Sequence, residues 1–282
     1  PDPVRVSWEY RVAGRKAAEG GEQFDVPPGM NADWSIQFKV PDVSERSDAE
    51  FVVTTHHRGR EAYRHSEVSY VIPRSTVGPV ESAGSIVVWD PSGEAAARLR
   101  SQGIAFDAVE EMENIPSDFG FLIVGRDAVS KRQATDRKWL QWTAAGRRIL
   151  VLEQEYPLHY QAVTANFTPS DYDGRIAFSQ NLDHPVFRGL VQEDLAFWAG
   201  DHVVYKNVYR KATRGARSLA HCDEKLGYSA VAFLPVNDGA MLLSQFVVGE
   251  KLESEPVAGT LFDNMVRYMA SYEPVKKRTA VI

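Results

Sequence analysis

The sequence predicts two domains of different class: an all-β sandwich, then an α/β domain with a mostly parallel sheet and covering helices. Three observations carry this. The first 74 residues hold short β-rich runs broken by turn signals, with no helical period. From Ser85 onward, short apolar runs alternate with helical stretches. One run, Ile149-Leu150-Val151-Leu152, stops abruptly at the polar cluster Glu153-Gln154-Glu155-Tyr156. In open α/β sheets, ligands gather just beyond such strand ends.

Residues 1–74 are read as the sandwich. Val4, Val6, Trp8, Tyr10 and Val12 alternate with polar residues, which predicts a half-buried strand. Gly20-Gly21 reads as a turn and Pro27-Pro28-Gly29 as a breaker. Trp34, Ile36, Phe38 and Val40 alternate again, and two further strands are expected at Phe51–Thr55 and Glu67–Ile72. Residues 75–84, rich in small residues, are the expected linker, and 273–282 a tail.

Residues 85–272 are the expected α/β domain. Strands are predicted at Ser85–Trp89, Ile104–Val109, Phe119–Val124 and in the run ending at Leu152. Helices are expected from Glu94 to Gln102 and from Thr135 to Gly146, each closed by a glycine. Ser218–Cys222, Ser229–Leu234 and Ala240–Val248 read as later strands, the last two joined by a turn at Val236-Asn237-Asp238-Gly239. Val257, Leu261, Phe262, Met265 and Met269 recur at helical spacing, with Ser254 as the expected cap and Pro256 in the first turn.

The 282 residues are 44% hydrophobic and 25% charged, which fits a soluble globular protein of about two domains. The formal charge is −6 with acids and bases interspersed, so no nucleic-acid partner is expected. No apolar run reaches the ~18–20 residues of a membrane span. The run Lys276-Lys277-Arg278 reads as a solvated tail. Pro1-Asp2-Pro3 reads as a linker and predicts a piece of a longer protein. A single cysteine, Cys222, excludes an internal disulfide and leaves the compartment open.

The candidate ligand-binding residues are Asp90, Ser92, Glu153, Gln154, Glu155, Tyr156 and His184. Asp90-Pro91-Ser92-Gly93 lies between a strand and a helix start, where backbone amides hold an anion or the side chains simply cap. Glu153 to Glu155 stand where a hydrolase of this build would carry its nucleophile, yet no Cys or Ser is there. They could bind hydroxyls or a cation, or cap the next turn and pair with Arg147 or Arg148. His184 is expected to line the same cleft. No histidine pair shows zinc spacing, and the adjacent His56 and His57 would point to opposite faces of a strand, so no metal or other cofactor is predicted. Trp34, Trp89, Trp139, Trp142, Trp198 and Tyr156 are read as core packing or as a sugar-stacking platform.

Three stretches carry a resemblance. Val6-Ser7-Trp8-Glu9, the turn at Val26-Pro27-Pro28-Gly29 and Pro41-Asp42-Val43 resemble the immunoglobulin-like domain that follows the barrel in β-galactosidase-like glycoside hydrolases of family 2. The span from Gly84 through Leu152-Glu153-Gln154 resembles a class I glutamine amidotransferase-like domain of flavodoxin-like build. His184-Pro185-Val186, Trp198, Glu255-Pro256-Val257-Ala258 and Asn264-Met265-Val266-Arg267-Tyr268 resemble its closing segment. Family 42, which uses a similar domain for trimer assembly, is the alternative parent.

The resemblance implies that the catalytic carboxylates lie on an upstream barrel of the same polypeptide. No catalytic residue is then assigned to this chain. The compartment stays open, with a periplasmic or secreted bacterial parent protein as the expectation. The function so implied is a non-catalytic accessory region of a carbohydrate-active enzyme, with scaffolding, homo-oligomer or carbohydrate contacts. The alternative is a stand-alone binding domain or hydrolase that uses the cleft near Asp90, Glu153 and His184.

Overall fold

The computed structural model describes residues 3–78, 80, 84–164 and 166–274. Pro1-Asp2, part of the expected linker and the tail from residue 275, with its basic run, lie outside the described residues. The chain divides into two compact units, Pro1–Arg74 and Ser75–Ile282. Both are rich in strands, and among the described residues no helix is long and apolar enough to cross a membrane.

The first unit is a four-stranded antiparallel sheet of β1 (Val4–Val12), β2 (Arg15–Phe24), β3 (Ser47–His57) and β4 (Arg60–Val71), in the order β2-β1-β3-β4. Strand β1 behaves as its alternation predicts. Trp8, Tyr10 and Val12 are buried in a core with Ala49 and Val71. The expected strand at Trp34–Val40 does not form, so among the described residues the unit has one sheet and not a sandwich. Its alternation has a different cause. Trp34, Ile36 and Phe38 sit on an extended segment that covers one face of the sheet, with the Phe38 ring 4.7 Å from Tyr10 and 5.2 Å from Trp8. Alternation reports a face against a core, which needs no ladder partner. Strand β2 replaces the expected turn at Gly20-Gly21. The ring of Trp8 lies so close to Gly20 that a Cβ there would come within 2.7 Å of its Nε1.

The second unit is built on a ten-stranded mixed sheet. Its parallel part comprises β5 (Ile86–Trp89), β6 (Asp107–Val109), β7 (Phe121–Val124) and β8 (Arg148–Val151), with one strand from the antiparallel part. That part holds β9 (Thr168–Pro169), β10 (Ala177–Phe178), β11 (Tyr209–Arg210), β12 (Arg217–Cys222), β13 (Tyr228–Val236) and β14 (Gly239–Ser244). The order β6-β5-β7-β8-β14 is parallel throughout, and β13, β12 and β10 continue it antiparallel. Every residue of β5, β7 and β8 is buried, because layers cover both faces of the sheet.

The helices are α1 (Glu94–Ser101), α2 (Lys138–Ala144), α3 (Val248–Lys251) and α4 (Pro256–Ala270). Trp139 of α2 stacks 6.3 Å from Trp89 and joins a core with Leu122, Ile149 and Met241 on one face. The other face carries α4, whose Ala270 carbonyl accepts Arg148 Nη1 at the start of β8. Helix α4 is capped by Glu255, whose carboxylate accepts the Val257 amide at 3.0 Å, in place of the expected Ser254; Pro256 fills the first turn.

Candidate functional site

The parallel strands deliver four polar groups to one rim of the sheet: Asp90 after β5, Arg126 after β7, Glu153 after β8 and Gln245 after β14. The chain order reverses between β5 and β7, where a ligand crevice opens in sheets of this kind. Asp90 is at that point. Its Oδ1 accepts the Ser92 hydroxyl at 2.7 Å and its Oδ2 accepts the Ala96 amide at 2.9 Å. Asp90 and Ser92 are thus occupied in starting α1. Gly125 makes room for them, since a Cβ there would come within 2.0 Å of Asp90 Oδ1.

Glu153 is buried, at 4% exposure. Its carboxylate accepts the amides of Gly249 at 3.1 Å and Glu250 at 2.8 Å. Burial pushes its pKa up to about 7, against the two amide bonds, and nearby Asp127 adds to the rise. Beside it, Arg126 pairs with Glu94 at 2.8 Å. Glu94 Oε2 and Arg126 Nε are buried without a hydrogen-bond partner. Burial raises the Glu94 carboxyl, but bonds from Ser92 and the backbone, with Arg126, outweigh it and leave the pKa lowered.

Gln154 is saturated. It accepts the Val129 amide at 2.8 Å and donates to the carbonyls of Gly125 and Leu152 at 2.7 and 2.9 Å. Gln245 answers it: its Oε1 accepts the Gln154 amide at 3.1 Å, and its amide nitrogen reaches the carbonyls of Gln154, Lys206 and Asn207. This pair sews β8 to β14. Glu155 and Tyr156 are exposed beside it, and the Glu155 amide donates to Asp127 at 2.7 Å. A hydrogen bond to Glu155 raises the Tyr156 phenol.

His184 does not join them. Its ring packs 4.8 Å from Tyr268, two residues before the Ala270 carbonyl that Arg148 holds at the opposite end of β8. Glu153 meets α3, just before α4 begins, so roughly 18 Å of helix separates the two groups at 1.5 Å per residue. The His184 Nδ1 accepts the Val186 amide at 3.3 Å, and burial with nearby Arg217 lowers its pKa. Cys222 is also remote, fully buried on β12, with its thiol pushed up to about 12 chiefly by burial. Of the aromatic residues, Trp89, Trp139 and Trp198 are buried, Trp34 and Trp142 half-buried, and Tyr156 exposed. Among the described residues no three His, Cys, Asp or Glu side chains gather as metal ligands.

The partners Glu94, Arg126, Gly249 and Gln245 were not foreseen. Gln245 carried a usable signal, since a lone amide directly after the buried run of β14 stands level with Glu153 after β8 in the parallel register. Nothing in the local sequence marks Gly249 as facing Glu153, which lies 96 residues earlier.

No protein-family model and no curated protein matches the chain. Several solved structures resemble it in part, two of them as follows. An exo-β-1,4-mannosidase from Opitutaceae bacterium strain TAV5 aligns with 14% identity and a TM-score of 0.41, over 67% of this chain and 36% of that one. A β-galactosidase from Rahnella sp. R3 aligns with 12% identity and a TM-score of 0.33, over 69% of this chain and 32% of that one. The chain thus matches about a third of the length of each.

Proposed function

We propose that this chain is a non-catalytic accessory region of a carbohydrate-active glycoside hydrolase, with the catalytic carboxylates on a barrel of the same polypeptide. One observation carries the non-catalytic part. Where an amidotransferase-like domain would present a thiol, the end of β8 presents Glu153 and Gln154, and their polar atoms are engaged by the scaffold. The parallel order β6-β5-β7-β8-β14, in chain order second-first-third-fourth-fifth, supports a flavodoxin-like reading of the second unit. The link to glycosides rests on the order of the resembling segments in the sequence. Among the described residues the acids around Glu153 are engaged elsewhere: Asp127 accepts the Glu155 amide, Glu94 pairs with Arg126 and Glu250 pairs with Lys206.

The test is turnover of chromogenic galactosides and mannosides by the purified chain. The reading expects none above the uncatalysed rate. Steady turnover would overturn it in favour of a hydrolase working at the strand ends.

A further inference from the structure

The open face of the four-stranded sheet, opposite the aromatic core, is polar and concave. A cavity of ≈ 610 Å³ lies on it, lined among others by Arg5, Ser7, Glu9, Arg11, Thr54 and Arg64. A second, of ≈ 560 Å³, shares Arg5, Ser7 and Gln23 and runs on to His56 and Gly59. Together they form one groove along the strands. Its middle is open because Gly21, opposite Ser7, carries no side chain.

The charges divide the groove. At one end Glu9 is held by Arg11 at 2.6 Å, with Lys16 at 3.7 Å, and Lys16 also pairs with Glu19 at 2.7 Å. That end is neutralised within the protein. Arg5 and Arg64, by contrast, make no hydrogen bond or ion pair among the described residues, and only Glu22 remains in the lining to oppose them. Ser7 and Thr54, neighbours across β1 and β3, form a hydroxyl-bearing floor between the two arginines. Arg5 is two strands from Arg64 and offset by two residues, so their Cα atoms are about 12 Å apart at ~4.8 Å per strand and ~3.4 Å per residue.

We propose that this groove binds an acidic oligosaccharide, with Arg5 and Arg64 engaging carboxylate or sulfate groups on different sugar units. Guanidinium forks pair bidentately with such oxyanions. Two adjoining cavities of this size hold far more than one small anion and suit a chain that carries repeated charges. The floor of hydroxyls and the Gln23 amide supply the donors and acceptors that sugar hydroxyls need. The choice of a sugar rests on the accessory-region reading, whereas the anion preference rests on the groove alone.

Titration calorimetry on the whole chain at low salt tests this with five probes. These are tetragalacturonate, a sulfated tetrasaccharide, a neutral manno-tetraose, an acidic hexaglutamate peptide and inorganic sulfate. The proposal expects one of the two acidic sugars to bind. It also expects R5A/R64A to weaken that binding at least tenfold, while R132A, a charge-matched change in the other unit, leaves it unaltered. Whichever acidic sugar binds more tightly identifies carboxylate or sulfate as the group read. Folding of R5A/R64A is checked by circular dichroism. If the double variant misfolds, R5Q and R64Q singly must each weaken binding, and failure of both to do so overturns the proposal. Equal binding of the neutral sugar, tighter binding of the peptide, or a response to inorganic sulfate alone would each overturn it. The non-catalytic reading is measured separately by turnover and survives any of these results.

Discussion

Glu153, two residues past the end of a central strand, accepts the amide of Gly249 at 3.1 Å from 96 residues away, and the adjoining Glu250 amide at 2.8 Å. One buried carboxylate thereby fixes α3 over the strand ends. A Cβ on Gly249 would come within 3.1 Å of Glu153 Oε1 and 3.0 Å of Arg126 Cβ, so the close approach favours glycine.

The first prediction concerns pH. The folded pKa of Glu153 is raised to about 7, above its unfolded value, so the folded state holds a proton that the unfolded state has released. Its contribution to stability is therefore complete below the unfolded pKa and is lost as pH rises through about 7. The span is of order 3 kcal/mol. Denaturant unfolding of the wild type between pH 5 and 8 should show this decline, and E153Q should flatten it. An unchanged slope in E153Q would assign the decline to other groups.

Asp263 should prove the costliest polar position in the second unit. It is fully buried on α4 and accepts Arg98 at 2.7 Å, Ser75 at 2.6 Å and Gln102 at 2.9 Å. D263A removes the shared acceptor and leaves the guanidinium of Arg98 without its charge partner. The expected loss is about 3–5 kcal/mol, measured by chemical denaturation. A loss below 1 kcal/mol would show that water replaces the carboxylate freely.

Gly125 and Asp90 should behave as a coupled pair. G125A forces a methyl group onto the Asp90 carboxylate and should cost about 1–3 kcal/mol. D90A removes the acceptor of the Ala96 amide in the first turn of α1 and should cost about 1 kcal/mol. In the double variant the clash has gone, so the combined loss should fall below the sum of the two. Strict additivity would mean that the two residues do not touch.

Much of the second unit was legible in the sequence because its strands are buried on both faces. Ile86–Trp89 and Phe121–Val124 read as unbroken apolar runs, and the closing helix shows its 3.6-residue spacing plainly. The first unit was less legible. Strand β2 is an edge strand with a polar, glycine-containing sequence, and its formation depends on pairing with β1, which no local pattern announces. Trp34, Ile36 and Phe38 misled for the converse reason, since they cover the sheet without hydrogen-bonding to it as a strand. At the candidate site, the positions of Asp90 and Glu153 at strand ends could be read, but their partners could not. Ser92 and Ala96 are local to Asp90, whereas Gly249 and Glu250 reach Glu153 only through the fold. His184 is expected beside Glu153 because its loop resembles the family's closing segment, whereas its ring packs near the C-terminus of α4.

Cys222 should be inert in the folded protein. It is completely buried, and burial, with Asp223 adjacent, pushes its thiol up to about 12. Ellman's reagent at pH 8 should report no fast-reacting thiol before denaturation and one equivalent after it. Fast reaction in the native state would reopen the question of a thiol function.

The central claim is that the strand-end carboxylate serves the scaffold and not a reaction. The most direct measurement compares wild type and E153Q, in parallel preparations, for turnover of chromogenic glycosides and of glutamine. The account predicts background rates for both proteins and a difference only in stability. Turnover by the wild type that E153Q abolishes while remaining folded would contradict it.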